Sequence, residues 1–159
     1  DALTSAEVSC PELKQLLRRT PCVGICSTTY GDLVCRGCKR YAHEIVQWNG
    51  YAQDQRTLVW QRLFKLREGA FLTHADISRP EQLLLRAQGF HIPDLGSLSE
   101  INIAYEVIRR AGQESDFDSL GIAPREPAAT AIELYQRIEQ ELYARSVAQY
   151  EHDFHVSAQ

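Results

Sequence analysis

Four cysteines lie within 17 residues of one another in the pattern C-x3-C-x8-C-x2-C, at Cys22, Cys26, Cys35 and Cys38. This feature restricts the fold most, because four thiolates so close along a chain can converge on one metal when a short loop returns between the two pairs. Residues 27–34, between the pairs, contain turn-forming residues at their middle and predict a tight hairpin. The spacing therefore predicts a four-cysteine metal centre.

The surroundings of the cysteines also favour a metal site. Gly24 and Gly37 lie one inside each pair, where they allow the backbone to bend around sulfur and to direct N–H groups at it. A helix is predicted to begin near Lys39, so that Cys35 and Cys38 lie at its N-terminus, which favours thiolates. Four thiolates around a divalent metal leave a net negative charge, and three nearby cations would offset it: Arg36, Lys39 and Arg40.

Other uses of the cysteines are less favoured. Two disulfides, or four buried thiols without metal, are uncommon for such a cluster in a cytosolic chain. A thioredoxin-like role for Cys35 and Cys38 alone lacks the surrounding βαβ pattern. Cys10 lies apart from the cluster in sequence and is interpreted as a small buried hydrophobic residue.

Length and composition exclude several classes of protein. The chain has 159 residues, 44% of them hydrophobic and 24% charged, and contains no apolar run near the roughly 18 residues that a membrane span needs. We therefore expect a soluble globular protein without a membrane partner. Five cysteines are too few for a disulfide-stapled secreted scaffold, and no signal-peptide pattern opens the sequence, which predicts a cytoplasmic location.

The charge is unevenly distributed. The formal net charge of −4 divides into +3 for residues 1–69 and −7 for residues 70–159. The basic segment 14–67 would either bind an anionic partner or be balanced by the acidic second half of its own chain, and we favour the balance.

Periodicity and capping patterns predict a mostly α fold, with a small irregular, hairpin-containing four-cysteine module followed by a helical, bundle-like region. The predicted helices cover residues 9–19, 39–48, 53–68, 78–88, 97–110 and 128–150, with capping boxes at Ser9–Glu12, Ser78–Glu81 and Ser97–Glu100. Gly69 is expected to end the third helix, and residues 113–127 are read as a connector. We therefore divide the chain into a metal-binding module, 1–69, and a helical extension, 70–159, packed on it.

Two predicted helices carry clear apolar stripes. The stripe of the third helix comprises Val59, Trp60, Leu63 and Phe64. The stripe of the last helix comprises Ala128, Ala131, Tyr135, Ile138 and Leu142. The latter is predicted to pack on the rest of the chain or on a second copy, which would make a homodimer through the C-terminal helix.

The remaining motifs do not indicate catalysis. His152 and His155 have ligand-like spacing but are expected to be solvated, and His43 is read as a helix-surface residue, with a supporting role beside the metal as the alternative. Trp48 and Trp60 are expected to hold the metal loop on the helices. Because we find no phosphate loop, nucleophile elbow or paired-carboxylate motif, we expect a non-enzymatic protein.

Several short runs resemble a known family. They are PCVGIC from Pro21, GDLVCRGCKR from Gly31, Glu44-Ile45, Trp48, Gln55-Arg56 and VWQRL from Val59. The stretch from Pro21 to Leu63 is similar in these runs to the bacterial DUF1289 family, small proteins of undefined function described as predicted iron–sulfur proteins. The resemblance implies a bacterial source and implies that Cys22, Cys26, Cys35 and Cys38 are metal ligands. It implies no reaction, and it does not extend to residues 70–159.

The metal and the function both keep alternatives. The cysteine spacing favours Zn²⁺ and the family resemblance favours an iron–sulfur cluster, so we hold the two metals equal. With either metal, the four cysteines would fill every coordination position and leave none open for a hydrolytic reaction. The first hypothesis is a non-enzymatic protein whose four-cysteine centre organises a surface that recognises another macromolecule, a protein rather than a nucleic acid. The second is an iron–sulfur redox or sensor protein, and the third is nucleic-acid binding through residues 14–67.

Overall fold

The computed structural model describes residues 20–154, and within them the predicted mostly α fold is confirmed. The helices and strands are α1 (Ala42–Gln47), α2 (Gln53–His74), β1 (Ala75–Ile77), α3 (Pro80–Gly89), α4 (Glu100–Ala111), α5 (Phe117–Leu120), β2 (Ile122–Pro124) and α6 (Ala131–Phe154). Short 3-10 helices cover Ser27–Tyr30, Trp48–Gly50 and Leu95–Ser97. The predicted helix 9–19 with its capping box, Cys10 and His155 lie outside the described residues.

Three helices enclose the main core. The long helices α2 and α6 pack against each other, α4 contacts both, and α3 packs on α4 and α5. The largest fully buried side chains of this core include Phe71, Leu83, Ile108, Leu120, Leu134 and Ile138. Each such side chain stabilises the fold by about 1.5–3 kcal/mol. Between residues 20 and 154, no helix has both the length and the apolar character needed to cross a bilayer.

Helix α2 is longer than predicted. Gly69 was expected to follow its last turn, but the helix continues to His74 and ends where Ala75 becomes extended. A Cβ at position 69 would lie 2.9 Å from the Arg145 guanidinium of α6. The glycine therefore lets the α6 side chain approach α2 and does not cap the helix. As a result, the predicted boundary between 1–69 and 70–159 falls inside one helix.

Two predicted capping boxes are wrong. Helix α4 is capped by Ser99, whose hydroxyl accepts a hydrogen bond from the backbone N–H of Asn102 at 3.2 Å, so the helix begins after the predicted Ser97. Helix α3 begins at Pro80, because the N–H of Ser78 is used for a bond to the carbonyl of Gly121 at 2.8 Å. In each case, the hydrogen bonds of the residues before the helix determine where the helix begins.

The predicted connector 113–127 contains regular structure. It forms α5 and then β2, which pairs antiparallel with β1 in the register Asp76 to Ala123. An ion pair between Arg125 and Asp76, 2.8 Å long, flanks this pairing. Strands of three residues are too short to show an alternating pattern, so the sequence did not reveal them.

The apolar stripe of the last helix packs within the chain. Ala131, Ile138 and Leu142 are buried in the main core, with Ala128 and Tyr135 at its edge. The helix itself begins at Ala131 and not at Ala128. A homodimer through another face of this helix stays a prediction.

Gly121 is the tightest glycine in the main core, and its replacement tests the packing of α3 on β2. Its φ is +74°, and an added Cβ would lie 2.3 Å from the carbonyl oxygen of Arg79 and 2.7 Å from the backbone nitrogen of Leu83. We expect Gly121→Ala to lower the free energy of unfolding by about 1–3 kcal/mol, measured by urea denaturation.

The control is Gly89→Ala in α3, where an added Cβ meets nothing within 4 Å. This change is expected to leave the free energy of unfolding the same or slightly higher, because alanine restricts the unfolded chain. Equal losses in the two variants would contradict the packing argument.

Candidate metal centre

The second cysteine pair lies in a tight turn, Cys35–Arg40, which we call the cysteine turn. The backbone N–H of Cys35 donates to the carbonyl of Arg40 and that of Lys39 donates to the carbonyl of Cys35, both at 2.9 Å. Lys39 has a φ of 68°, the left-handed conformation that non-glycine residues rarely adopt. A bridge between Val34 and Tyr41 closes the base of the turn.

The helix predicted from Lys39 begins at Ala42 instead. The reversal at Lys39 keeps residues 39–41 out of helical geometry, and Tyr41 is the N-cap. The Glu44 carboxylate accepts a hydrogen bond from the Tyr41 N–H at 2.8 Å, which satisfies one free amide of the first turn. Cys35 and Cys38 therefore precede the helix, and the predicted stabilisation of their thiolates by a helix dipole is wrong.

Oriented backbone amides take the place of that dipole at Cys35. Burial of this side chain raises its pKa, but the backbone N–H groups of Cys38, Ser27 and Gly37 point at the sulfur, and the net result is a pKa below the ordinary value. In the thiol form the sulfur lies 3.4 Å from the carbonyl oxygen of Ile25. The thiolate of Cys35 is therefore favoured by amides from both sides of the hairpin.

Cys38 lies beside Cys35 and responds differently. Its pKa is raised by burial, although Arg40 opposes the rise by donating from Nε to the sulfur at 3.3 Å. The two sulfurs also contact each other through a hydrogen bond. The structure thus brings the second pair together, with the charge of Arg40 beside it.

The first pair is less enclosed. Cys26 is half-buried, with its sulfur 3.0 Å from the hydroxyl of Thr28, whereas Cys22 is exposed and accepts a hydrogen bond from the N–H of Gly24 at 3.4 Å. None of the four cysteines forms a disulfide. Cys26 is the nearer of the two to the cysteine turn along the chain.

The loop between the pairs returns as the hairpin prediction requires. The N–H of Arg36 donates to the hydroxyl of Ser27 at 2.8 Å, which joins the two arms of the hairpin. At Gly37 an added Cβ would lie 2.5 Å from the carbonyl oxygen of Ile25, so a glycine is needed for this close approach. Gly24 has a φ of +93°, as expected of a residue where the first pair bends.

The donor set fits a thiolate-binding metal in its chemistry. Four reduced thiols, one with a lowered pKa and several amide donors, are what zinc and iron–sulfur centres use in proteins. Within residues 20–154, however, no three Cys, His, Asp or Glu side chains converge closely enough to hold one metal ion. The second pair is assembled, Cys26 is in the adjoining arm of the hairpin, and Cys22 is exposed.

Lys39 anchors the cysteine turn to the C-terminal helix. It is only 2% exposed, and its ammonium group donates to the carboxylate of Glu139 in α6 and to the carbonyl of Gly37, the latter at 2.9 Å. The other oxygen of Glu139 accepts from the hydroxyl of Tyr105, whose pKa is raised well above its ordinary value by burial. The sequence analysis placed Lys39 near the predicted metal and missed its ion pair with Glu139. The net negative charge of residues 70–159 was the one sign that such a partner was available.

A second ion pair holds α1 on α2. The Arg62 guanidinium binds both oxygens of the buried Glu44 carboxylate, at 2.6 and 2.7 Å, and stacks 3.9 Å from the centre of the Tyr41 ring. Burial raises the pKa of Tyr41 to about 12. Trp48 and Trp60 lie nearby in one small core cluster, as expected of core residues, and their role in holding the metal loop stays a prediction.

Two of the histidines considered in the sequence, His43 and His152, lie at the surface. His43 is exposed and its ring contacts those of Tyr41 and Phe154, at centroid distances of 5.9 and 5.3 Å. His152 is exposed beside Asp153, at 3.3 Å. These positions match those expected of helix-surface and solvated histidines.

Comparison with known proteins identifies a family over this region. The model of DUF1289, described as a protein of unknown function, matches residues 20–67, which include all four clustered cysteines. The resemblance inferred from Pro21 to Leu63 is therefore confirmed. No curated protein and no solved structure matches the chain.

The ion pair between Lys39 and Glu139 can be tested by removing its negative partner. In Glu139→Gln, Lys39 remains buried without a counter-charge, and we expect the free energy of unfolding to fall by about 3 kcal/mol. Urea denaturation measures this loss.

Glu141→Gln in the same helix is the matched control. The partner of Glu141 is Arg145, at 2.7 Å, and both side chains are substantially exposed. This control is expected to lose less than about 1 kcal/mol, as exposed pairs do. Similar losses in both variants would show that the buried pair does not anchor the cysteine turn.

Proposed function

We propose that this chain is a non-enzymatic metal-binding protein whose four-cysteine centre organises a surface that recognises another protein. The metal would be held by Cys22, Cys26, Cys35 and Cys38. The observation that carries the proposal is the environment of Cys35, a fully buried thiol whose pKa is nonetheless below its ordinary value because of the surrounding amides. Hydrogen-bond donors directed at a sulfur stabilise the thiolate, which is the form that binds a metal, whereas a buried cysteine with only a packing role remains a thiol.

The composition of the hairpin supports the same proposal. Among residues 20–33, only Pro21 is buried, while Ile25, Tyr30 and Leu33 point their apolar side chains outward. This segment therefore gains little from hydrophobic burial. Metal ligation supplies the missing stabilisation in small domains of this kind. Ligation by all four cysteines requires the exposed Cys22 to join the assembled pair.

Zinc and an iron–sulfur cluster lead to different functions. With four cysteine ligands a zinc ion would be structural and would stabilise the recognition surface. A cluster would carry an electron or sense oxidants, which makes an iron–sulfur redox or sensor protein the second candidate. The amides directed at Cys35 favour this candidate in one respect, because hydrogen bonds to sulfur tune the potential of a cluster. Either centre suits the cytoplasm, our proposed location, where thiols stay reduced.

The proposed recognition surface consists of Ile25, Tyr30, Leu33 and Val46, which we call the apolar face. Ile25 is 68% exposed, Tyr30 90% and Val46 84%, and these three lie in the hairpin and in α1. Exposed large apolar side chains near one small module are typical of a protein-binding surface.

The cations of the module favour a protein partner over a nucleic acid. Lys39 and Arg40 are buried, and Arg40 lies over the ring of Trp48 at 5.0 Å. Arg36 is exposed, but it pairs with Asp32 at 3.3 Å and stacks on the ring of Tyr143 at 4.5 Å. Cations engaged in this way are poor ligands for phosphates, which nucleic-acid binding requires.

Metal binding is tested by Cys35→Ser. We expect purified wild-type protein to contain one metal centre per chain and this variant to contain almost none, with faster proteolysis of the chain around the start of α2. Metal analysis, acid-labile sulfide and the visible absorption spectrum of protein purified without oxygen measure the result. Iron with sulfide indicates a cluster, and colourless zinc indicates the structural site.

The matched control is Cys10→Ser, which changes the one cysteine outside the cluster. It is expected to keep the wild-type metal content. A wild-type protein free of metal after such purification, or an unchanged metal content in Cys35→Ser, would contradict the proposed centre.

Recognition through the apolar face is tested by Leu33→Asp. We expect proteins that co-purify with the wild-type chain to be lost from this variant, because a charge is introduced where the partner would bury apolar surface. Leu85→Asp in α3 is the matched control, since Leu85 is similarly exposed but lies outside the module. Equal binding by all three proteins would exclude this face.

A further inference from the structure

A cavity of about 210 Å³ lies beside the cysteine module, between α2 and α4. Its walls come from the first described residues of the hairpin arm, Thr20–Val23, from one side of α2 and from the loop and helix around α4. Neither the four-cysteine centre nor the apolar face accounts for it. The cavity is smaller than the pockets of drug-sized ligands, and it suits a molecule with few heavy atoms.

Arg67 of α2 contributes a buried positive charge to the wall of this cavity. Its side chain is only 9% exposed, and it lines both this cavity and a smaller one beside Cys38 and Lys39. Among residues 20–154, the Arg67 guanidinium forms no hydrogen bond or ion pair, and it contacts the rings of Phe64 and Tyr105, at 5.7 and 5.0 Å. A cation held nine-tenths out of water without a carboxylate is costly, so its position calls for an anion.

The one carboxylate in the cavity wall is already used. Glu106 accepts from Arg109 at 3.3 Å and from Arg110 at 3.1 Å, and both arginines also line the cavity. The two cations thus share one anion, and Arg67 adds a further positive charge. The wall of the cavity therefore carries an excess of positive charge, which favours an anionic ligand.

Much of the rest of the wall is apolar. The rings of Trp60 and Phe64 are stacked at a centroid distance of 5.2 Å, and Ile92, Pro93 and Leu98 complete the surface. Such a wall binds the apolar body of a ligand, which inorganic phosphate lacks. The planar guanidinium beside it matches a carboxylate with two parallel hydrogen bonds.

We propose that this cavity binds a small organic carboxylate, with its carboxylate on Arg67 and its flat apolar body along Trp60 and Phe64. The inference goes beyond the metal centre, because none of these three residues is a cysteine ligand, although Cys22 belongs to the wall of the cavity. It adds a ligand-binding site to a module that otherwise offers thiols and an apolar face.

The test is a calorimetric titration of the full chain with benzoate, whose ring and carboxylate match the cavity. Benzamide has the same shape without the charge, and inorganic phosphate has the charge without the ring. We expect benzoate to bind, benzamide to bind about tenfold to a hundredfold more weakly, as loss of a charged hydrogen bond predicts, and phosphate to bind weakly or not at all. Tighter binding of phosphate than of benzoate would overturn the assignment.

Variants of α2 show whether Arg67 is responsible. Arg67→Gln should weaken benzoate binding to the level of benzamide, and Arg67→Lys, which keeps the charge without the planar fork, should bind benzoate with intermediate affinity. Lys65→Gln removes an exposed cation from the same helix, close to Arg67 in sequence, and should bind as the wild type does. Circular dichroism spectra and thermal unfolding of each variant check that the fold is retained.

Three further results would overturn the proposal: no binding of benzoate to the wild-type chain, unchanged binding in a folded Arg67→Gln variant, or an equal loss in Lys65→Gln. The last would indicate a general effect of net charge. If Arg67→Gln does not fold, the affinity of the Arg67→Lys variant decides the question, and an affinity equal to the wild type would contradict recognition by the guanidinium fork.

Discussion

The buried ammonium group of Lys39 is the constraint on which the arrangement of this protein depends. It lies in the cysteine turn, in a backbone conformation that lysine rarely adopts, and its counter-charge, Glu139, lies 100 residues later in α6. Because a buried cation without a partner is strongly destabilising, the cysteine turn is stable only where α6 packs on α2. The position of the proposed metal ligands is therefore decided by the C-terminal helix as well as by their own spacing.

Among residues 20–154, several cations of the first half of the chain have partners inside the molecule. Lys39 pairs with α6, Arg62 fixes α1 to α2 through Glu44, and Arg40 covers Trp48 beside the cysteines. At the surface of the module lie the side chains of the apolar face and Arg36, which pairs with Asp32. This distribution is the physical reason for preferring a protein partner, since buried and paired cations cannot contact a phosphate backbone. Arg67 differs from these three because its guanidinium has no hydrogen-bond acceptor or ion-pair partner among the described residues, which is why it leads to a separate ligand proposal.

The proposed metal centre and the proposed carboxylate site are neighbours. Cys22 is exposed at the metal centre and also belongs to the wall of the cavity. Ligation of a metal and occupation of the cavity would both order the same stretch of chain before the cysteine turn. The two sites use different chemistry, thiolates in one and a guanidinium in the other. Arg67 can be replaced without changing a cysteine, and Cys35 can be replaced without changing the wall of the cavity.

The sequence by itself determined the elements that depend on neighbours along the chain. The cysteine spacing, the return of the hairpin, the need for glycine at position 37 and the apolar stripes of α2 and α6 are all local properties, and the structure contains each of them. Tertiary structure decided where helices begin and end, as at Gly69, which resembled a cap but lies inside α2 beside Arg145 of α6. It also decided the pairing of Lys39 with Glu139 and the isolation of Arg67. These depend on contacts between distant segments, and neither periodicity nor spacing carries information about which charge a buried side chain will meet.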